Sequence, residues 1–245
     1  MNQILQTRHI EKHFDGVKAV NKLSLSFEKG RITGVIGPNG SGKSTLINLL
    51  TGFIPFDSGE IVISQKLHFT KVKCSDVAGY GLTRTFQDVR LFEQMPVLDN
   101  VLVVLTERSV FGALFERHGT LHLTKAEEAL KRVGLWEKRH ALANNLSYGQ
   151  RKLLEIARVL AMNPEIVFFD EPFAGLFPEM LKVVVSVMQE LKRQGKTQIL
   201  VEHNMELIRE LSDCCVVLDS GELLAEGEPQ EVLSRRDVIE AYLGE

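Results

Sequence analysis

The sequence predicts a mixed α/β fold organised around a parallel sheet, and three observations carry that expectation. An apolar run at 32–36 leads through a glycine-rich turn into a helical pattern at 46–50. A second apolar run, Ile166-Val167-Phe168-Phe169, ends on the acids Asp170 and Glu171. Further short apolar strands at 198–202 and 215–219 are separated by helical stretches. Apolar strands that lack polar alternation, interleaved with helices, belong to sheets covered on both faces.

Along the chain, 4–13 and 17–27 read as two strands joined at Asp15-Gly16, a dipeptide suited to a tight hairpin. Residues 53–59 form a Pro/Asp/Gly turn, and 60–63 another short strand. Residues 64–81 are polar and without periodicity. From 98 to 161 the pattern is helical. Thr124 followed by Glu127 resembles a capping box that opens an amphipathic helix running through Val133. Ser147 opens another helix, with Leu153, Ile156, Ala157 and Leu160 on one face, until Asn163-Pro164 ends it. A last long helix covers 179–193 and stops near Gly195. The helix-rich middle interrupts the strand–helix alternation. The expectation is one domain, with core segments 1–88 and 163–245 and an inserted helical subdomain at 89–162.

Composition sets outer bounds. The chain has 245 residues, 44% hydrophobic and 25% charged, enough for a sizeable core. A net charge of −3 gives no sign of a nucleic-acid partner. Cys74, Cys214 and Cys215 are few and odd in number. The adjacent pair in an apolar run reads as buried thiols, which fits a reducing cytosol. No apolar run approaches the ~18 residues of a membrane span. Residues 1–6 lack the apolar core and cleavage site of a secretion signal. Service to a membrane process would therefore require docking on another subunit.

The stretch Gly37-Pro38-Asn39-Gly40-Ser41-Gly42-Lys43-Ser44-Thr45 fits the phosphate-loop pattern G-x-x-x-x-G-K-[ST] in full. Its strand–loop–helix context is the one that gives the motif meaning. Backbone N–H groups bunched at a helix N-terminus form a concave anion site. Gly40 and Gly42 let the backbone close around phosphate. Lys43 brings a point charge to the β- and γ-phosphates, and Ser44 offers a hydroxyl to Mg2+. The chain is thus expected to bind a nucleoside triphosphate. Asp170, at the end of an apolar strand, emerges at the sheet edge where α/β folds bind ligands and suits the metal. Glu171 beside it can serve as general base toward water.

Leu146-Ser147-Tyr148-Gly149-Gln150 resembles the signature peptide of ABC-transporter ATPase subunits, and its spacing before Phe168-Phe169-Asp170-Glu171-Pro172 is similar to that family's. Gln87, in Thr85-Phe86-Gln87, resembles the family's glutamine loop, and His203 its switch histidine. Phe14 stands where the family places an aromatic on the adenine. Taken singly, Phe14 reads as a core strand aromatic, Gln87 and His203 as ordinary polar residues, and Ser147 as a helix N-cap. Their joint order makes them functional candidates. A GTPase reading fails for want of an Asn-Lys-x-Asp motif.

The resemblance implies a P-loop NTPase core of ABC ATPase type, with an antiparallel β subdomain and the inserted helical subdomain. It implies ATP held by Phe14, Asn39, Gly40, Gly42, Lys43, Ser44 and Thr45, and Mg2+ held by Ser44, Gln87 and Asp170. Glu171, His203 and Gln87 would be catalytic. Ser147, Gly149 and Gln150 would close over ATP on a second cassette, identical or paralogous, packed head to tail. The resemblance also implies transmembrane permease subunits and, indirectly, a solute-binding protein as partners, with this chain cytoplasmic and peripheral on the cytoplasmic face of the membrane. Two residues depart from the family pattern: Tyr148 replaces the first signature glycine, and Phe177 stands where the D-loop commonly has a small polar residue. Residues 81–92, the signature peptide and the tail 238–244 are similar to branched-chain amino-acid importer ATPases, with urea importers much alike. The competing class is a soluble ABC ATPase acting on DNA or ribosomes. Such proteins usually have paired cassettes in one chain or a long coiled-coil insertion, and neither is in this sequence.

Overall fold

The computed structural model describes residues 3–64, 67–105 and 120–243, and these divide into two compact units. The first comprises Met1–Arg84, Glu165–Glu171 and Gln189–Glu245. The second comprises Thr85–Pro164 and Pro172–Met188.

Two sheets build the first unit. One is antiparallel, in the order β2 (Val17–Glu28), β1 (Gln3–Phe14), β4 (Ser58–Ile63), β5 (Leu67–Phe69). The hairpin between β1 and β2 turns at Asp15 and Gly16, with φ of 46° and 88°, the doubly positive geometry that Asp-Gly tolerates. The other sheet runs β10 (Glu222–Gly227), β9 (Cys214–Asp219), β3 (Ile32–Ile36), β8 (Thr197–Val201), β7 (Ile166–Asp170), β6 (Leu82–Arg84). All its pairings are parallel except that of β9 with β10. Strands β3, β7 and β8 are buried at every residue, as their unbroken apolar character requires. Helix α1 (Lys43–Leu50) follows β3 directly. Its Leu46, Ile47, Leu49 and Leu50 join Leu5, Phe27 and Ile61 of the antiparallel sheet, and Val35 and Phe168 of the parallel one, in a single core.

Residues 67–81 are more structured than their sequence suggests. They hold β5, the short helix α2 (Cys74–Val77) and a 3-10 turn at Ala78–Tyr80. Gly81 accepts backbone bonds from Glu165 and Ile166, and Leu82 opens the edge strand β6. These elements are short and take their stability from neighbours distant in sequence, so no local period announces them. Cys215 is buried, but Cys214 is only half-buried.

The second unit is helical: α3 (Val97–Leu102), α4 (Thr120–Arg132) and α5 (Tyr148–Met162), with α6 (Pro178–Arg193) entering from Pro178. The capping box expected at Thr124 and Glu127 is not there. Helix α4 already runs at Thr120, so Thr124 lies inside it and its backbone N–H needs no cap. Ser147 does cap α5. Its hydroxyl accepts from Gln150 N–H at 3.3 Å, and Gln150 Oε1 accepts from Ser147 N–H at 3.2 Å. Leu153, Ile156, Ala157 and Leu160 are all buried, and Asn163 ends the helix in the left-handed conformation at φ 45°. The first unit closes with α7 (Met205–Leu211), α8 (Pro229–Ser234) and α9 (Arg236–Leu243). Among the described residues no helix is long and apolar enough to cross a membrane.

Candidate functional site

Three adjacent parallel strands, β3, β8 and β7, end on one edge of the sheet, and each delivers part of the site there. The phosphate loop leaves β3, His203 follows β8, and Asp170 and Glu171 finish β7. The carboxyl edge of an α/β sheet is where loops converge with unspent backbone donors.

In the loop, Gly42 is obligatory. Its φ is 100°, and a Cβ there would lie 2.4 Å from the Ala19 carbonyl oxygen. Gly42 caps α1 without any side-chain hydrogen bond, and no acid occupies the first turn. The N–H groups and positive dipole end of that helix are therefore not neutralised by the chain itself, which suits an anion. Asn39, Gly40 and Ser44 are exposed around this end and Thr45 is half-buried. Lys43 is buried, its Nζ donating to the carbonyls of Gly37 at 2.7 Å and Pro38 at 2.8 Å, with Ser41 Oγ at 3.4 Å. The ammonium is thus held against the loop.

Asp170 is buried at the end of β7, and Arg84 Nη2 donates to its Oδ2 at 3.0 Å. Arg84 Nη1 donates to Asn48 Oδ1 at 2.6 Å and Thr51 Oγ1 at 3.2 Å, so one guanidinium links the end of α1 to the carboxylate. Nothing in the sequence marks Arg84 for this role. An arginine just before Thr85-Phe86-Gln87 looks like any charged loop residue until β6 pairs with β7 and brings Arg84 opposite Phe168. Glu171 has φ 48°, an unusual conformation for a long side chain, held by its N–H to the Val201 carbonyl at 3.0 Å. His203 Nε2 lies 3.0 Å from Glu171 Oε1. An ionised carboxylate can only accept, so the ring then carries its proton on Nε2.

At the start of the first unit, Phe14 ends β1 and is 45% exposed, not a core aromatic. Asp57 braces it: its Oδ1 accepts from Lys12 Nζ at 2.7 Å and its Oδ2 from His13 N–H at 2.7 Å. The Lys12 and His13 donors pull the Asp57 carboxyl down to about 2.

The second unit brings together a different set of expected residues. Ser147 is exposed at the head of α5, Gly149 is buried, and a Cβ on Gly149 would lie 2.4 Å from Met180 Sδ. The Tyr148 ring lies against Gly175, where a Cβ would meet it at 2.9 Å. That contact is what the departure from the signature pattern makes. Phe177 is 72% exposed. Gln87 is exposed, and its segment is tied to α5 at two points the sequence did not reveal. Phe86 N–H donates to buried Glu155 Oε1 at 3.1 Å, and Arg158 Nη1 donates to the Arg90 carbonyl at 2.6 Å. Asn100, fully buried, closes the 92–96 turn by accepting from Phe92 N–H at 2.9 Å and donating to its carbonyl at 3.0 Å.

A family profile described as "ABC transporter" matches residues 20–174. The chain belongs to the ABC transporter family, as one of its ATP-binding ATPase cassettes. A second profile, described as "Branched-chain amino acid ATP-binding cassette transporter", matches 222–245. The chain is 39% identical to the high-affinity branched-chain amino acid transport ATP-binding protein LivG of Salmonella typhimurium, over 99% of this chain and 98% of that one. It is 37% identical to the probable LivG of Methanocaldococcus jannaschii, again over 99% and 98%. Among solved structures, the ADP conformation of an ATP-binding cassette of an ABC transporter superposes with TM-score 0.86 at 36% identity, covering 100% of both chains. The fold is accordingly that of an ABC ATPase cassette, with antiparallel β and helical subdomains as expected from the sequence.

Proposed function

We propose that this cassette, peripheral on the cytoplasmic face of the membrane, hydrolyses ATP to drive uptake of branched-chain amino acids through separate transmembrane permease subunits. The names carried by its LivG relatives support the substrate, and the tail profile at 222–245 supports the subfamily. The observation that carries the catalytic reading is the Glu171–His203 contact at 3.0 Å, on the same sheet edge as the phosphate loop.

The residues fit the expected ligands. The uncapped start of α1, with Lys43, matches a polyphosphate. Ser44 and Asp170 are hard oxygen donors of the kind Mg2+ takes. The metal, when bound, neutralises phosphate charge and so eases attack on the γ-phosphorus. Lys43 binds the β- and γ-phosphates, and the N–H groups of Asn39, Gly40, Gly42, Ser44 and Thr45 orient them. Phe14 offers an exposed face to the adenine. Glu171 takes a proton from the attacking water while His203 holds that carboxylate in place. Ser147 uses a lone pair in its cap, which leaves the hydroxyl hydrogen for a phosphate on a second cassette, with Gly149 and Gln150 beside it. ATP then joins two half-sites, and its cleavage loosens the pair. A solute-binding protein would deliver the cargo to the permease without touching this chain.

The test is Glu171→Gln. The amide keeps the shape and accepts from His203, but cannot take a proton. MgATP titration should give parental affinity, while phosphate release falls ~10²–10⁴-fold. Near-parental turnover rejects the role.

A further inference from the structure

The phosphate loop is pinned from outside the nucleotide-binding motifs. Gly37 opens the loop, and its N–H donates to the hydroxyl of Tyr242 on α9 at 2.6 Å. The carbonyl of the same residue accepts from Lys43 Nζ at 2.7 Å. One residue therefore carries both bonds, and any rotation of Gly37 moves the anchor of the lysine. Gly37 has little freedom otherwise: at φ 149° a Cβ would lie 2.1 Å from the Leu218 carbonyl oxygen. The β3–β9 ladder ends with Ile36 opposite Val217, so Gly37 N–H falls one step beyond it, and the tyrosine hydroxyl supplies the acceptor there.

Helix α9 is well placed to hold that hydroxyl still. Its first turn is fixed by Arg235, which donates twice to Asp237, and buried Val238 seats the helix in the first unit. Its outer face, with Arg236 paired to Glu240, stays in solvent.

We propose that Tyr242 is a positioning residue for nucleotide binding: the C-terminal helix, through Tyr242 and Gly37, presets the phosphate loop and Lys43. This rests on the reading of residues 37–45 as the phosphate loop. Because the hydroxyl acts before chemistry, its removal weakens binding and spares the catalytic step.

The experiment is Tyr242→Phe in the full chain, which keeps the ring and removes only the hydroxyl. MgATP titration should show affinity about fivefold weaker, which is ~1 kcal/mol, the usual net worth of one hydrogen bond. KM for ATP should rise in step, kcat should be unchanged, and amide exchange at Gly37 should quicken. Arg236→Ala, which disturbs only the outer face of α9, should bind as the parent does. Unchanged affinity in Tyr242→Phe overturns the proposal, and so does an equal loss in Arg236→Ala. Lys43→Ala separates the two readings. If it too leaves affinity unchanged, the phosphate-loop assignment has failed; if it alone weakens binding, only the role of Tyr242 has.

Discussion

Glu171 shows how a single residue trades stability for placement. Holding its backbone at φ 48° costs about 1–3 kcal/mol, yet that bend turns the carboxylate out of the sheet toward His203. Asp170, one residue earlier, stays in the ladder and is buried against Arg84. Two adjacent carboxylates thus acquire different surroundings from one peptide rotation. The side chains of Arg84 and Asp170 are only 10% and 5% exposed, so each charge is largely withdrawn from water and faces the other. Removing one partner of such a pair is costly because the remaining charge stays buried. Arg84→Ala should lose about 3–5 kcal/mol in urea unfolding. A loss below about 1 kcal/mol, the scale of a solvated pair, would mean that water replaces the guanidinium.

Among the elements, β1 has the most exposed task, since its last residue offers Phe14 to solvent. Asp57 fastens that strand end by binding Lys12 and His13. Its carboxyl lies at about 2, below the ordinary 3.8, so the folded state favours the ionised form. The stabilisation is present above 3.8 and is lost as the pH falls through 2. Asp57→Asn should lower the urea midpoint at neutral pH, and the gap to the parent should narrow as the pH falls from 3.8 toward 2. A gap that does not change with pH would show that the carboxylate charge is not what fastens the strand. In the second unit α5 does the comparable work. It presents Ser147 at one end and, through Glu155 and Arg158, holds the segment on either side of Gln87. Movement of α5 would be felt at both.

For the whole molecule, the residues of the proposed site are divided between the two units. The first has the phosphate loop, Asp170, Glu171 and His203, and the second has Ser147 and Gly149. If a second cassette must supply the latter pair, a lone chain lacks donors to the γ-phosphate. One missing transition-state donor costs ~2.7–4 kcal/mol. Specific ATPase activity should therefore fall as the protein is diluted. A flat profile across the dilution series would mean that one chain suffices.

The sequence by itself determined the parts whose physics is local. The phosphate loop, the acid pair after an apolar strand, the Asp-Gly hairpin and the Ser147 cap each need particular residue types at fixed short spacing, so they can be read without a fold. The capping box at Thr124 failed because the same short pattern also occurs inside a helix that has begun earlier. Only the tertiary structure decided what depends on partners far along the chain. Strand β6 exists because Leu82 and Arg84 find β7. Arg84 meets Asp170 across 86 positions, and Tyr242 meets Gly37 across 205. A lone arginine or tyrosine has no periodicity to betray its partner, and only the folded chain brings the two together.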